Sequence, residues 1–187
     1  MPAIYDSILR DVHEVEPRAV IAGGAIRDEI LGGEVKDIDV FLPDFTDDSK
    51  AMYESLYSKG WRLTNAITIG GYLKIGAMVA TWRHPECPKP IQLIYKVGEW
   101  DPEALIRSMD FGACQVAYFG SGHFIYTAKF LFDIAHNKIT LVDVPNEPES
   151  RRSARRAKSF KERYAGTDVV VDVGLGLRSE WPEHYVE

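Results

Sequence analysis

The sequence predicts an α+β fold, a small mixed β-sheet with helices packed on it. Three observations lead there. Ile4, Ile8, Leu9, Val12 and Val15 recur at helical spacing. Residues 37–42 (DIDVFL) alternate as a strand does, with Ile38, Val40 and Leu42 on one face. Three β-rich stretches follow in succession, at residues 61–69, 72–82 and 91–97.

The elements run in order. Residues 3–15 read as an amphipathic helix stopped by Pro17. Arg18 to Ala22 is a β-branched run entering a tight turn at Gly23-Gly24, and a helix over residues 25–31 ends at Gly32-Gly33. Pro43 closes the DIDVFL strand. Residues 46–59 predict a helix with Thr46 as N-cap and Asp47 and Asp48 in its first turn. Gly70-Gly71 marks a hairpin between the first two β-rich stretches. Asp101 caps a helix running to Ser108, and residues 110–119 are apolar and ambiguous. A strand at 123–127, a helix at 128–136, a short strand at 139–142 and a basic helix at 150–164 complete the series. The domain reading is a body at 1–148, the basic helix at 149–166, and a tail at 167–187 containing Trp181 and Tyr185.

The chain has 187 residues, enough for one domain with a real core. Its 45% hydrophobic and 27% charged residues are those of an ordinary globular protein. No run approaches the roughly 20 apolar residues that span a bilayer. The acidic, short-cored N-terminus is not a signal peptide, so the expectation is a cytoplasmic protein without membrane association. Cys87 and Cys114 do not make a disulfide framework. His84 and Cys87 are two possible zinc ligands with no second pair nearby, and Cys114 sits in an apolar run as a small core residue.

The net charge of −6 is unevenly spread. Residues 151–163 (RRSARRAKSFKER) hold seven Lys/Arg and one Glu, so that segment is +6 and the remainder −12. An acidic body with one basic segment points to a localised anionic partner. A helix packed through Ala157 and Phe160, with solvated arginines, reads equally well from the same residues.

Chemistry concentrates in residues 20–40 (VIAGGAIRDEILGGEVKDIDV). Asp37 and Asp39, two apart on a strand, project from one face. Two adjacent hard oxygen ligands suit Mg²⁺, which completes its shell with water and phosphate. Gly23-Gly24 lets backbone N–H groups approach a phosphate at a helix N-terminus, and Arg27 lies one turn in.

The seventeen residues GGAIRDEILGGEVKDID resemble the first motif of the tRNA nucleotidyltransferase and bacterial poly(A) polymerase family, in the DNA polymerase β-like superfamily. That motif reads G-G-x-V-R-D-x-L-L-G, four variable positions, then D-x-D. Gly23, Gly24, Ile26, Arg27, Asp28, Leu31, Gly32, Asp37 and Asp39 fall in register without a gap. Residues 91–96 (IQLIYK) resemble the later strand that supplies a third acid, with Gln92 at the acid position. Asp110-Phe111 resembles the R-R-D-F-T-x-N-A segment, with Ser108 and Met109 in place of its arginines and Cys114 in place of its asparagine. Arg152 to Tyr164 resembles the arginine-rich helix after the catalytic head. The IQLI strand with its DF-x-x-C-Q segment resembles small viral and phage-type relatives.

The resemblance implies a polymerase β-like nucleotidyltransferase fold, a sheet with helices on one side. It also implies transfer of a nucleoside monophosphate from an NTP to an acceptor hydroxyl, with Mg²⁺ or Mn²⁺ as cofactor. Asp37 and Asp39 would hold metal, with Gln92 beside them in the catalytic set. Gly23, Gly24 and Arg27 would cradle the triphosphate, Asp28 would orient Arg27, and Asp110 would meet the ribose. Arg152, Arg155 and Arg156 would contact nucleotide or RNA. An amide carries no charge and is a poor general base, so Gln92 should weaken a second metal site. With fewer than 40 residues after Pro148 and no base-templating E-D-x-x-R motif, CCA addition is not expected of this chain alone. RNA 3′ ends rank first as acceptor, ahead of protein or small molecules. The alternatives are a catalytically silent nucleotide- or partner-binding module and, more weakly, an interaction protein that uses its tail.

Overall fold

The computed structural model describes residues 1–43, 48–68, 78–96, 98–142 and 147–173. The predicted Thr46 cap with Asp47, the Gly70-Gly71 turn and the tail beyond residue 173 lie outside them. The described elements are α1 (Ala3–His13), β1 (Val20–Ala22), α2 (Gly24–Leu31), β2 (Ile38–Leu42), α3 (Asp48–Ser58), β3 (Arg62–Thr68), β4 (Met78–His84), β5 (Cys87–Tyr95), α4 (Pro102–Arg107), β6 (Val116–Gly120), β7 (His123–Tyr126), α5 (Ala128–Ala135), β8 (Lys138–Leu141), α6 (Glu147–Arg163) and β9 (Val170–Val173).

Seven strands form one mixed sheet in the order β3-β4-β5-β2-β1-β6-β7. β2 and β5 run parallel, and the other pairs are antiparallel. This is the α+β, mixed-sheet architecture that the residue patterns predict. Pro88 and Pro90 fall inside β5, where a proline cannot donate to a ladder. They sit before Ile91, where pairing with β2 begins, and in the stretch where the β4 register shifts. Neither is therefore asked for a ladder bond to β2.

Strand alternation divides the interior in two. Ile38, Val40 and Leu42 of β2, with Ile91, Leu93 and Tyr95 of β5, join one core. It also takes in Ile8, Leu9 and Val12 of α1, Ile26 of α2, Met52 and Leu56 of α3, and the fully buried Trp61 and Trp82. The opposite face carries Phe41, Ile94, Val20 and Ala22. A second core covers it, built from Leu105 and Ile106 of α4, Phe111, Ile139 and Leu141 of β8, Ala157 and Phe160 of α6, and Tyr164 just beyond that helix. The resemblance implies helices on one side only. Here the other face is partly roofed as well, because α6 and the β8–β9 ribbon supply an apolar layer.

Two local differences have physical causes. The ambiguous apolar stretch 110–119 resolves into a 3₁₀ turn at Gly112–Cys114 and strand β6. β9 lies in the segment expected to be tail and pairs in parallel with β8. Asp101 caps α4 as expected, accepting from the Glu103 and Ala104 N–H groups. His84 and Cys87 face each other across the β4–β5 turn. His84 Nδ1 accepts the Glu86 N–H at 3.0 Å, and Nε2 faces Asp11 at 3.6 Å. Among the described residues no group of three or more His, Cys, Asp and Glu gathers as a metal set.

α2 ends with Gly32 at φ 70°, the left-handed C-cap that glycine favours. The next residue, Gly33, lies against α6: a Cβ there would stand 2.5 Å from the Tyr164 hydroxyl oxygen and 2.8 Å from its Cζ. Tyr164 is buried and cannot swing aside. Gly33→Ala is therefore expected to destabilise by about 1–3 kcal/mol, lowering Tm by about 2–4 °C per kcal/mol in a chain of this size. An unchanged melting curve would mean that α6 does not dock on α2 as described.

Candidate active site

β2 and β5 bring together residues 53 positions apart in sequence: in their parallel register Asp39 stands beside Gln92. Both point to the face that carries Phe41 and Ile94, the side roofed by α6. Asp37 immediately precedes β2 and is half-buried. The Gln92 side-chain amide donates to Asp37 Oδ2 at 3.3 Å. The two carboxylates and the amide thus form one cluster at the start of β2, in the middle of the sheet.

Asp39 is the unusual member. Its Oδ1 is buried and accepts no hydrogen bond among the described residues. Burial, then the negative charge of Asp37, pushes its carboxyl up to about 7, against the opposing pull of Arg156 and Arg152. A desolvated carboxylate oxygen without a donor is costly unless something positive occupies the space before it.

α6 supplies positive charge on that side. Arg152 and Arg156, one turn apart, both act on Asp39. Arg156 forms an ion pair with Asp110 Oδ1, and Ser153 Oγ donates to Asp110 Oδ2 at 2.6 Å. Both oxygens of Asp110 are thus engaged by α6. Arg155 is exposed on the same helix.

The glycine turn is built differently from its sequence reading. Gly23 has φ 83°, a conformation glycine permits, and its N–H donates to the Val116 carbonyl at 3.1 Å. The N–H groups at the start of α2 then belong to Gly24, Ala25 and Ile26, which lack intrahelical acceptors. Met109 packs beneath Gly23, 3.4 Å from where a Cβ would stand.

Arg27 is turned inward and is only 2% exposed. Its Nε donates to Asp28 Oδ1 at 2.7 Å and its Nη1 to Cys114 Sγ at 3.0 Å, with the guanidinium 4.2 Å from the Phe160 ring centre. Burial alone would lower its pKa, but Cys114, Asp28 and Tyr164 reverse the direction and raise it. Asp28 also accepts from Arg163 Nη1 at 2.8 Å and from the Tyr164 hydroxyl at 2.6 Å. Ser108 spends its hydroxyl on the Leu105 carbonyl.

The structure therefore joins Asp37, Asp39, Gln92, Arg152 and Arg156 in one place, with Asp110 behind Arg156. It places Arg27 and Asp28 in a buried network under the glycine turn. Sequence reading missed Ser153, Arg163 and Tyr164 as supporting residues. Their helical spacing was the available signal: Ser153 and Arg156 are three apart and share a face.

A sheet of this order, with two carboxylates at the start of β2 and the α2 turn beside them, defines a nucleotidyltransferase-like fold. Solved structures agree. The chain matches "tRNA-processing enzyme (apo form I)" with TM-score 0.61 and 18% identity, covering 91% of this chain and 44% of that one. It matches a CCA-adding enzyme from Bacillus stearothermophilus in complex with CTP with TM-score 0.62 and 18% identity, covering 94% and 42%. It matches a Thermotoga maritima CCA-adding enzyme complexed with tRNA with TM-score 0.62 and 16% identity, covering 90% and 38%. The chain spans less than half the length of these proteins, and at such identities the likeness is one of fold. A model of the Gabija anti-defense 2 family matches residues 3–137, and the chain belongs to that family. That match takes in Asp37, Asp39, Gln92 and Asp110 and stops before α6. No curated protein matches the chain.

Two predictions follow from the geometry. A carboxyl raised on folding binds its proton more tightly in the native state. Its contribution to stability is full below the unfolded value near 4 and is lost as pH rises through about 7. Asp39→Asn should therefore raise the Tm of the metal-free protein by a few degrees at pH 8 and change it little at pH 4. Equal effects at both values would show that Asp39 carries no such strain. Asp28→Asn breaks a buried charge network and should cost about 3–5 kcal/mol, read by urea denaturation. A cost within experimental error would mean that Arg27 and Arg163 find other partners.

Proposed function

We propose that the chain is a divalent-metal-dependent nucleotidyltransferase, which moves a nucleoside monophosphate from an NTP to an acceptor hydroxyl and favours an RNA 3′ end. The observation that carries this reading is the Asp37–Asp39 pair with its buried, donorless Asp39 oxygen. Oxygen-only ligands at the start of β2 fit Mg²⁺ or Mn²⁺, and nucleotide phosphates and water complete such a shell. When bound, the metal would polarise the phosphoryl group and stabilise the charge that develops on it.

The chain's own residues account for the remaining roles. The first N–H groups of α2, at Gly24, Ala25 and Ile26, offer partial positive charge to a phosphate. Arg27, held by Asp28, fixes the start of α2 from beneath. Arg152 and Arg156 act on Asp39 from α6, and Arg155 is exposed on the same helix, where a polyanionic backbone would lie. The acceptor oxygen bonds to the α-phosphorus, the bond from that phosphorus to pyrophosphate breaks, and the hydroxyl proton passes to solvent. Neighbours of the same fold are described in complex with CTP and with tRNA, which supports NTP and RNA as ligands. A family described as Gabija anti-defense makes a component of that defence a further candidate acceptor.

One observation favours a second reading. Gln92 stands where a third acid is expected, and its amide faces Asp37. A silent nucleotide- or partner-binding module would tolerate that exchange. Incubation with each α-³²P NTP, Mg²⁺ or Mn²⁺ and total RNA separates the two. Label on RNA, reduced at least 100-fold by Asp37→Ala/Asp39→Ala, is the expected result. Label on protein instead would move the acceptor, and metal-dependent NTP binding without transfer would establish the silent module.

A further inference from the structure

We propose that this site holds a single divalent cation, and that Arg156, with Arg152 beside it, supplies the positive charge a second cation would otherwise bring. The inference rests on the reading above and adds the number of metals and the residue that replaces one of them.

The direction of the Gln92 hydrogen bond comes first. A carboxylate oxygen only accepts, so the Gln92 atom 3.3 Å from Asp37 Oδ2 is the amide nitrogen. That N–H takes one of the roughly four lone-pair sites of Asp37 and turns a donor, not an acceptor, toward it. A donor therefore stands where a two-cation site requires another acceptor. The register fixes this placement: β5 pairs with β2 over five consecutive positions, so Gln92 cannot slide away from Asp39.

Charge gives the same count. Asp37 and Asp39 together carry −2, which one divalent cation neutralises. A second would meet only a neutral amide and would approach Arg152 and Arg156. Asp110, the further acid that the resemblance brings to the site, is already engaged by Arg156 and Ser153.

Arg156 is built as a fixed cation. Asp110, itself held by Ser153, anchors it from one side, and its guanidinium lies 5.1 Å from the Phe111 ring centre and 5.8 Å from that of Phe160. A guanidinium keeps its charge at any working pH and presents a planar fork matched to phosphate oxygens. Its side chain remains 36% exposed, so part of its fork stays open to a ligand. Asp110 is then a positioning residue for Arg156.

The test counts metal. Mn²⁺ bound per chain is measured by electron paramagnetic resonance, with an equimolar mixture of the four α,β-methylene nucleoside triphosphates present. One Mn²⁺ in the wild type and two in Gln92→Glu is the expected result. Two in the wild type, or one in both proteins, overturns the inference while leaving the transferase reading in place. No bound Mn²⁺ in either protein overturns that reading itself. Arg156→Ala should keep the count at one and weaken binding of the analogue that binds best about tenfold. Arg156→Lys, which guards against a folding defect, should recover part of that loss. Unchanged affinity in a folded Arg156→Ala variant removes the assigned role.

Discussion

Asp39 is a carboxylate set beside another carboxylate, with one oxygen lost to solvent and no donor facing it. At contact range two such charges repel by about 1–4 kcal/mol, depending on how much water screens them. The surroundings of the site limit that repulsion. Gln92 in the adjacent strand is neutral and adds no third charge. Asp37 lies just outside the strand, where it stays half-exposed. The arginines of α6 approach from above. The first of these placements follows from the parallel pairing of β2 with β5, which sets what stands beside Asp39.

The second constraint is the way α6 is fastened to α2. Asp28 collects Arg27 from its own helix, Arg163 from the far end of α6, and Tyr164 just beyond it. Phe160 slides beneath the Arg27 guanidinium, and the absence of a side chain at Gly33 lets Tyr164 come close. Buried charge networks of this kind are weak sources of stability and stronger sources of a defined arrangement. Here the arrangement they define is the height of the basic helix above the carboxylates. α6 is thus part of the site, although its arginines read from sequence equally well as a solvated face.

Most of the sheet was legible because alternation and turn residues agreed. DIDVFL, the cap at Asp101 and the Gly32 stop all behave as their residue types dictate. The carboxylate pair was legible because two acids two apart on a strand share a face. Less could be seen where tertiary contacts decide. Nothing local shows that Gly23 gives its N–H to β6, or that Arg27 turns toward Cys114 instead of outward. Asp110 read as a sugar contact from its motif, yet its two oxygens are engaged by residues more than forty positions later. β9 was hidden because four β-branched and acidic residues become a strand only when β8 lies beside them.

The Asp28–Tyr164 bond spans 136 positions. On a ribosome adding roughly 5–20 residues per second, the glycine motif precedes its own anchor by about 7–27 s. During that interval Arg27 and Asp28 have each other, but Arg163, Phe160 and Tyr164 do not yet exist. The nascent chain can assemble β1, α2 and β2 early, while the assembled centre waits for α6 to emerge and close over it. Among the pieces of the centre the order of synthesis thus brings the basic helix last, and a chain released before residue 164 carries the carboxylates without the clamp.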